Sequence, residues 1–249
     1  MNRIDVNSLI GHWPFRKLYK NNSEDLKPAH RENDIDYGYV ASLDSIFYND
    51  PFEGDEDLHK ILEGSKYKHV LTINPLLPSF EYDIERGIEK FDIKGVRVYP
   101  TYHGYNLDNE NFLRLCSILK KYDLPLFLPL RMEDIRMNHL IRPQNLALYD
   151  LQAFLIDHMD NTVVLLTAYS AEIAGLKDLI NESPNFFFDT SGLKDGLFKI
   201  ESLLVDFIPE KILYGSLYPL YTMKSTKLLI DWADISQDIE DRILDDSLL

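Results

Sequence analysis

The run Thr162-Val163-Val164-Leu165-Leu166-Thr167 is apolar at four successive positions, without the alternation of a strand that has one wet face. An unbroken aliphatic row of this length fits a strand buried on both sides, as in a parallel sheet covered by helices. Working outward, further strand candidates lie at Ile4–Leu9, Tyr37–Leu43, His69–Ile73, Gly95–Tyr99, Leu126–Leu130, Phe186–Asp189 and Ile212–Ser216. Helical patterns fall between most of them: Asp57–Glu63, Tyr82–Phe91, Asn109–Tyr122, Leu146–His158, Ala171–Asn181, Leu197–Phe207 and Thr222–Trp232. Eight strands in βα alternation over 249 residues predict an α/β protein, a closed (β/α)8 TIM barrel rather than an open doubly wound sheet.

No composition break divides the chain, so residues 1–249 are expected to form a single barrel domain. The main irregularity is 11–34, polar and rich in Lys and Asn, between the first two strands. It is read as a long loop over the C-terminal face, either a lid or an insertion.

Lys and Arg total 26 against 41 Asp and Glu, a net charge of -15. Such a surface repels phosphate backbones and anionic lipid, so neither nucleic acid nor membrane is expected as a partner. The start of the chain has no apolar leader, and no run approaches the ~18 apolar residues of a membrane span. The single cysteine, Cys116, sits on the apolar stripe of a helical pattern and excludes an intrachain disulfide framework. A cytoplasmic protein is expected. A homo-oligomer is left open, since the sequence carries no interface signal.

The two ends hold the most specific motifs. Asp5-Val6-Asn7-Ser8-Leu9-Ile10-Gly11 resembles the Asp-x-His-x-His-x-Gly opening of amidohydrolase-related barrels, the decarboxylase-like and pyrone-hydrolase-like branch. Gly215-Ser216-Leu217-Tyr218-Pro219 is similar to the Gly-Ser-Asp-x-Pro of their last strand. Lys94-Gly95-Val96-Arg97-Val98-Tyr99-Pro100, Leu124-Pro125-Leu126-Phe127-Leu128-Pro129 and Asn185–Gly192 resemble intervening strands of the same family, in the same order.

The resemblance implies five metal-ligand positions, which in this chain are Asn7, Leu9, Pro129, Thr167 and Leu217. Leu and Pro side chains offer no donor, and Asn and Thr only weak neutral oxygens. No metal or other cofactor is therefore expected. A relocated metal site is the alternative, with His12, His30, His103 and His139 on presumed C-terminal-face loops beside Asp134.

The barrel mouth instead carries arginines. Arg131 lies two positions beyond Pro129 and shares its interior face, Arg97 interrupts an apolar strand, and Arg16 follows the first strand. A guanidinium inside a barrel needs a carboxylate, water or a ligand. Asp5, Asp44, Asp134 and Asp189 are the expected internal partners of Arg97 and Arg131. Alternatively, Asn7, Arg16, Arg97, Tyr99, Arg131 and Tyr169 bind a small anionic, carboxylate-bearing molecule.

Three functions follow. The first is a binding or regulatory barrel that has lost the family metal. The second is a metal-independent hydrolase, lactonase or lyase, with Asp189 or Asp134 as base and His103 or His139 as acid–base group. The third is a conventional metal-dependent amidohydrolase with a relocated site.

Overall fold

The computed structural model describes residues 2–134, 136–137, 143, 145–194, 198–245 and 249. Its strands are β1 (Ile4–Ile10), β2 (Tyr37–Ser42), β3 (Lys68–His69), β4 (Leu71–Thr72), β5 (Val96–Arg97), β6 (Leu126–Pro129), β7 (Val163–Leu166), β8 (Phe186–Asp189) and β9 (Ile212–Leu213). The helices are α1 (Ser23–Glu32), α2 (Pro51–Leu62), α3 (Phe80–Phe91), α4 (Pro100–His103), α5 (Glu110–Lys121), α6 (Leu148–Asp157), α7 (Ser170–Gly175), α8 (Lys177–Glu182), α9 (Lys199–Leu203), α10 (Met223–Asp231) and α11 (Gln237–Ile243).

All named pairings are parallel, in the orders β1-β2-β3 and β4 through β9. The expected third strand is split. β3 pairs with β2 and β4 with β5, and Val70 between them still donates to the Val40 carbonyl at 2.9 Å. The other seam closes where Val6 N–H donates to Tyr214 O at 2.9 Å and Leu9 N–H to Tyr218 O at 2.8 Å. The eight expected strands thus form a closed (β/α)8 barrel, the third in two pieces.

Strand alternation sorts the core into two layers. Val163, Leu165, Phe186 and Phe188 point outward and pack with helix residues such as Phe112, Leu115, Ile173 and Ile230. Val164, Leu166, Phe127, Phe187 and Leu213 point inward, joined by Leu9, Tyr99, Met132 and Leu217. Cys116 lies in the outer layer on α5, fully buried, where burial pushes its thiol up to about 12.

The segment 11–34 is not one long loop. Its second half is α1, begun by Asn22, whose side chain accepts the Asp25 N–H at 3.0 Å. The remainder is a compact loop with its ends tied together: Gly11 N–H donates to Asn21 O at 2.9 Å and Asn21 Nδ2 returns to Gly11 O at 2.8 Å. Helix α9 is shorter than the expected Leu197–Phe207, whose first residue lies outside the described ones.

Candidate functional site

Asn7 enters the barrel interior from β1, just where the register of β1 against β2 shifts between Asp5 and Ser8. Its carboxamide joins two charged groups. Nδ2 donates to Asp189 Oδ2 at 2.7 Å and to Ser191 Oγ at 3.2 Å, while Oδ1 accepts from Arg97 Nη1 at 2.8 Å. Asp189 Oδ1 accepts the Thr167 N–H at 2.7 Å and the Ser191 hydroxyl at 3.0 Å. Burial pushes the Asp189 carboxyl up to about 6, against the opposite pull of these donors and of Arg97. Gly215 is what lets the carboxylate lie there: a Cβ at that position would stand 2.1 Å from Asp189 Oδ2.

Arg97 is only 2% exposed, and its one strong hydrogen bond goes to neutral Asn7. Nη2 reaches the Met132 sulfur at 3.6 Å, and Nε has no partner among the described residues. Its guanidinium carbon stands 5.4 Å from the centre of the Tyr99 ring. Desolvation lowers its pKa, opposed by Tyr99, Asp189 and Asp5, but an arginine starts so high that it stays cationic. The hydroxyls of Tyr99 and Thr72, each 1% exposed, have no partner among the described residues beyond a loose contact with each other. Thr72 is the cross-strand register partner of Arg97.

The expected internal partners of the arginines are not those found. Arg97 bonds none of Asp5, Asp44, Asp134 or Asp189 directly; the amide of Asn7 separates it from Asp189. Arg131 forks onto Glu172, with Nη1 donating to Oε2 at 2.8 Å and Nη2 to Oε1, and it also donates to Thr167 O. Its guanidinium carbon lies 3.7 Å from the Tyr169 ring centre. Arg16 bonds Glu133 at 2.8 Å and the Leu220 carbonyl at 2.6 Å. Both cations are therefore neutralised within the chain, and Tyr169 stacks on the Arg131 pair rather than joining Arg97.

The acid–base candidates also separate. Asp134 is held by Arg136 through Nε, Nη2 and backbone N–H, which lower its carboxyl to about 2. A carboxylate so stabilised is a poor general base near neutrality. His103 donates Nε2–H to the Ile46 carbonyl at 3.0 Å, and burial lowers its pKa. His139 lies outside the described residues. His30 is not at the mouth: its Nε2 meets Asp5 Oδ2 at 3.2 Å and its Nδ1 meets Tyr67 Oη at 2.8 Å, at the start of the strands. Burial would raise the Asp5 carboxyl, but His30, Ser216 and the Asn7 N–H together hold it below its usual value.

The five positions that the resemblance marks as ligands take other duties. Leu9 and Leu217 are fully buried in the interior apolar layer. Pro129 ends β6, and Thr167 hydrogen-bonds Ser191 at 3.0 Å. Among the described residues, no three His, Cys, Asp or Glu side chains converge as a metal site. This donor set, two leucines, a proline and an amide beside a buried guanidinium, does not fit a divalent cation. Thr167 and Leu217 nevertheless keep left-handed backbones, φ 56° and 52°, at the ends of β7 and the last strand. Non-glycine residues pay roughly 1 kcal/mol or more for that conformation.

Four participants were not singled out from sequence: Thr72, Ser191, Met132 and Glu172. Ser191 follows Asp189 by two positions, the spacing of one strand face. Glu172 follows Tyr169 by three, the reach of a helix-start carboxylate, and it accepts the Tyr169 N–H at 2.7 Å.

No protein-family model matches the chain, and no curated protein matches it in sequence. Solved structures match along almost its whole length. An uncharacterised TIM-barrel protein from Bordetella bronchiseptica superposes with a TM-score of 0.74 at 14% identity, over 98% of this chain and 95% of that one. The 5-carboxyvanillate decarboxylase of Sphingomonas paucimobilis gives 0.72 at 12%, over 98% and 96%. A dihydroxybenzoic acid decarboxylase from a Polaromonas species, with bound manganese and 2-nitroresorcinol, gives 0.71 at 11%, over 98% and 95%. At these identities the likeness establishes the fold, the TIM barrel that the end motifs led us to expect.

Proposed function

We propose that this chain is a divergent amidohydrolase-type barrel that has lost the family's metal and binds a small carboxylate-bearing molecule at Arg97. One observation carries the reading: a cation that is 2% exposed, with a neutral amide as its only strong partner among the described residues and Nε left open. Leaving a buried guanidinium unpaired costs several kcal/mol, and a carboxylate fork is the ligand that best offsets that cost. The neighbouring decarboxylases, whose names describe carboxylated aromatic substrates, support a carboxylate as the recognised group. Arg16 and Arg131 are left out of the ligand set because Glu133 and Glu172 already hold them.

Asp189 supports a second reading, a metal-independent lyase or hydrolase. Its carboxyl, near 6, is one amide away from the anion-binding guanidinium and is positioned to exchange a proton at neutral pH. Asp134 and His103 drop out of that mechanism for the reasons given above.

Titration calorimetry with aliphatic and aromatic carboxylates tests the proposal. Binding by the wild type, lost in Arg97→Met, is the expected result. Equal affinity in the two proteins would remove Arg97 from the site. Turnover lost in Asp189→Asn, with binding retained, would favour the second reading.

A further inference from the structure

Arg97 is not the only group in the barrel interior whose hydrogen-bonding capacity is unused. Thr72 and Arg97 are register partners on β4 and β5, so their side chains leave the sheet on the same face. Tyr99, two residues beyond Arg97, leaves on that face as well and packs in the interior layer with Leu9, Met132 and Leu217. Three neighbouring side chains, each no more than 2% exposed, thus present unused capacity among the described residues: Arg97 Nε has no partner, and the Tyr99 and Thr72 hydroxyls have only a loose contact with each other. Buried polar groups are ordinarily satisfied, and three in one place mark a missing partner rather than three separate defects.

The chemistry of that partner can be narrowed. On the guanidinium, Nη1 is engaged by Asn7, so a carboxylate fork would take the edge formed by Nε and Nη2, where Nη2 meets only the Met132 sulfur, a weak acceptor. Two hydroxyls remain beyond the fork. Burial pushes the Tyr99 phenol up to about 12, so it is a proton donor at any physiological pH. An acceptor next to the carboxylate would meet it. Leu9, Met132, Tyr99 and Leu217, all at or below 1% exposure, pack in the same interior layer, which favours a compact acid over an aromatic one.

We propose that the ligand of this site is a small 2-oxygenated carboxylate, of the 2-oxo or 2-hydroxy acid class, with Tyr99 and Thr72 as the residues that select the second oxygen. This rests on the reading of Arg97 as a carboxylate site and adds the ligand's second functional group and its size.

The test is calorimetry of the full chain with propionate, lactate, pyruvate and benzoate, on the wild type and on Tyr99→Phe. A hydroxyl left unpaired on either side is worth about tenfold or more in affinity, so lactate or pyruvate should bind at least that much tighter than propionate. In Tyr99→Phe the preference should fall to within about threefold. Equal binding of propionate, lactate and pyruvate would overturn the second-oxygen assignment and leave the carboxylate reading standing. Binding of benzoate alone would overturn the compact class in the same way. A preference that survives in Tyr99→Phe would remove Tyr99 from the role. No binding of any of the four by the folded wild type would overturn the carboxylate reading together with this inference.

Discussion

The guanidinium of Arg97 donates to the carboxamide oxygen of Asn7 at 2.8 Å, so a fully buried cation has a neutral amide as its strongest partner. The same amide donates to Asp189 at 2.7 Å. Asn7 therefore holds two opposite charges apart at the residue where the motif of β1 leads one to expect a histidine ligand. Interposing an amide keeps each charge solvated by one good hydrogen bond without a direct ion pair. The consequence is that the guanidinium keeps a free edge.

Removing that amide should be costly. Asn7→Ala leaves Asp189 Oδ2 and Arg97 Nη1 buried without their partner, and unsatisfied charged groups of this kind cost about 3 kcal/mol together. Urea denaturation of the variant should show a midpoint lowered accordingly. A loss below about 1 kcal/mol would mean that the amide is not bridging the two charges.

Asp189 predicts a pH dependence. Its folded carboxyl is raised to about 6 from an unfolded value near 3.9, so the native state binds the proton more tightly. Stability from this group is therefore greatest below the unfolded value and falls as pH rises through 6, by at most about 3 kcal/mol. Asp5, whose carboxyl is lowered, works the other way and loses its contribution as the pH drops below its ordinary value. Comparing wild type with Asp189→Asn between pH 4 and 7 isolates the first effect. The difference in unfolding free energy between the two should shift in the variant's favour as pH rises; a constant difference would contradict the raised value.

Arg131 should matter to stability and not to ligand. Its fork onto Glu172 and its bond to Thr167 O neutralise its charge and leave only Nε unpaired among the described residues, and breaking a largely buried pair of this kind costs about 2 kcal/mol, after allowing for the partly exposed glutamate. Arg131→Ala should melt at lower temperature yet bind carboxylates within about threefold of wild type. A large loss of affinity at unchanged stability would return Arg131 to the binding site.

The donor set predicts metal independence. Protein purified without added metal should carry far less than one equivalent of zinc, manganese or iron by elemental analysis, and its melting temperature should be unmoved by chelator. Near-stoichiometric metal, with destabilisation on its removal, would contradict the reading of Leu9 and Leu217 as apolar wall.

The barrel was legible because its signal is local. Val163-Val164-Leu165-Leu166 carries its two-sided burial in its own composition, and β7 is found there with both faces covered. The split of the third strand at Val70 was not legible, since it lies in the pairing, with β3 on β2 and β4 on β5. At the site, Asn7, Arg97, Tyr99 and Asp189 could be named from motif positions and strand parity, and the fold brings them together. Thr72 could not, because its closeness to Arg97 is a matter of inter-strand register. The partners of Arg131 and Arg16 were missed for a related reason: Glu172 reaches from the start of α7 and Glu133 from the loop after β6, and a linear pattern does not encode either direction. Asp134 looked like a base by residue type alone, and only its turn with Arg136 shows that it is held as a stable carboxylate.

The most direct test is a high-resolution crystal structure of the protein grown with a saturating small carboxylate, read at the open edge of Arg97. The account predicts a carboxylate within hydrogen-bonding distance of Arg97 Nε, and apolar contacts only at Leu9 and Leu217. A metal ion coordinated near Asn7, Thr167 and Asp189, or an Arg97 edge occupied by nothing but water at saturation, would contradict it.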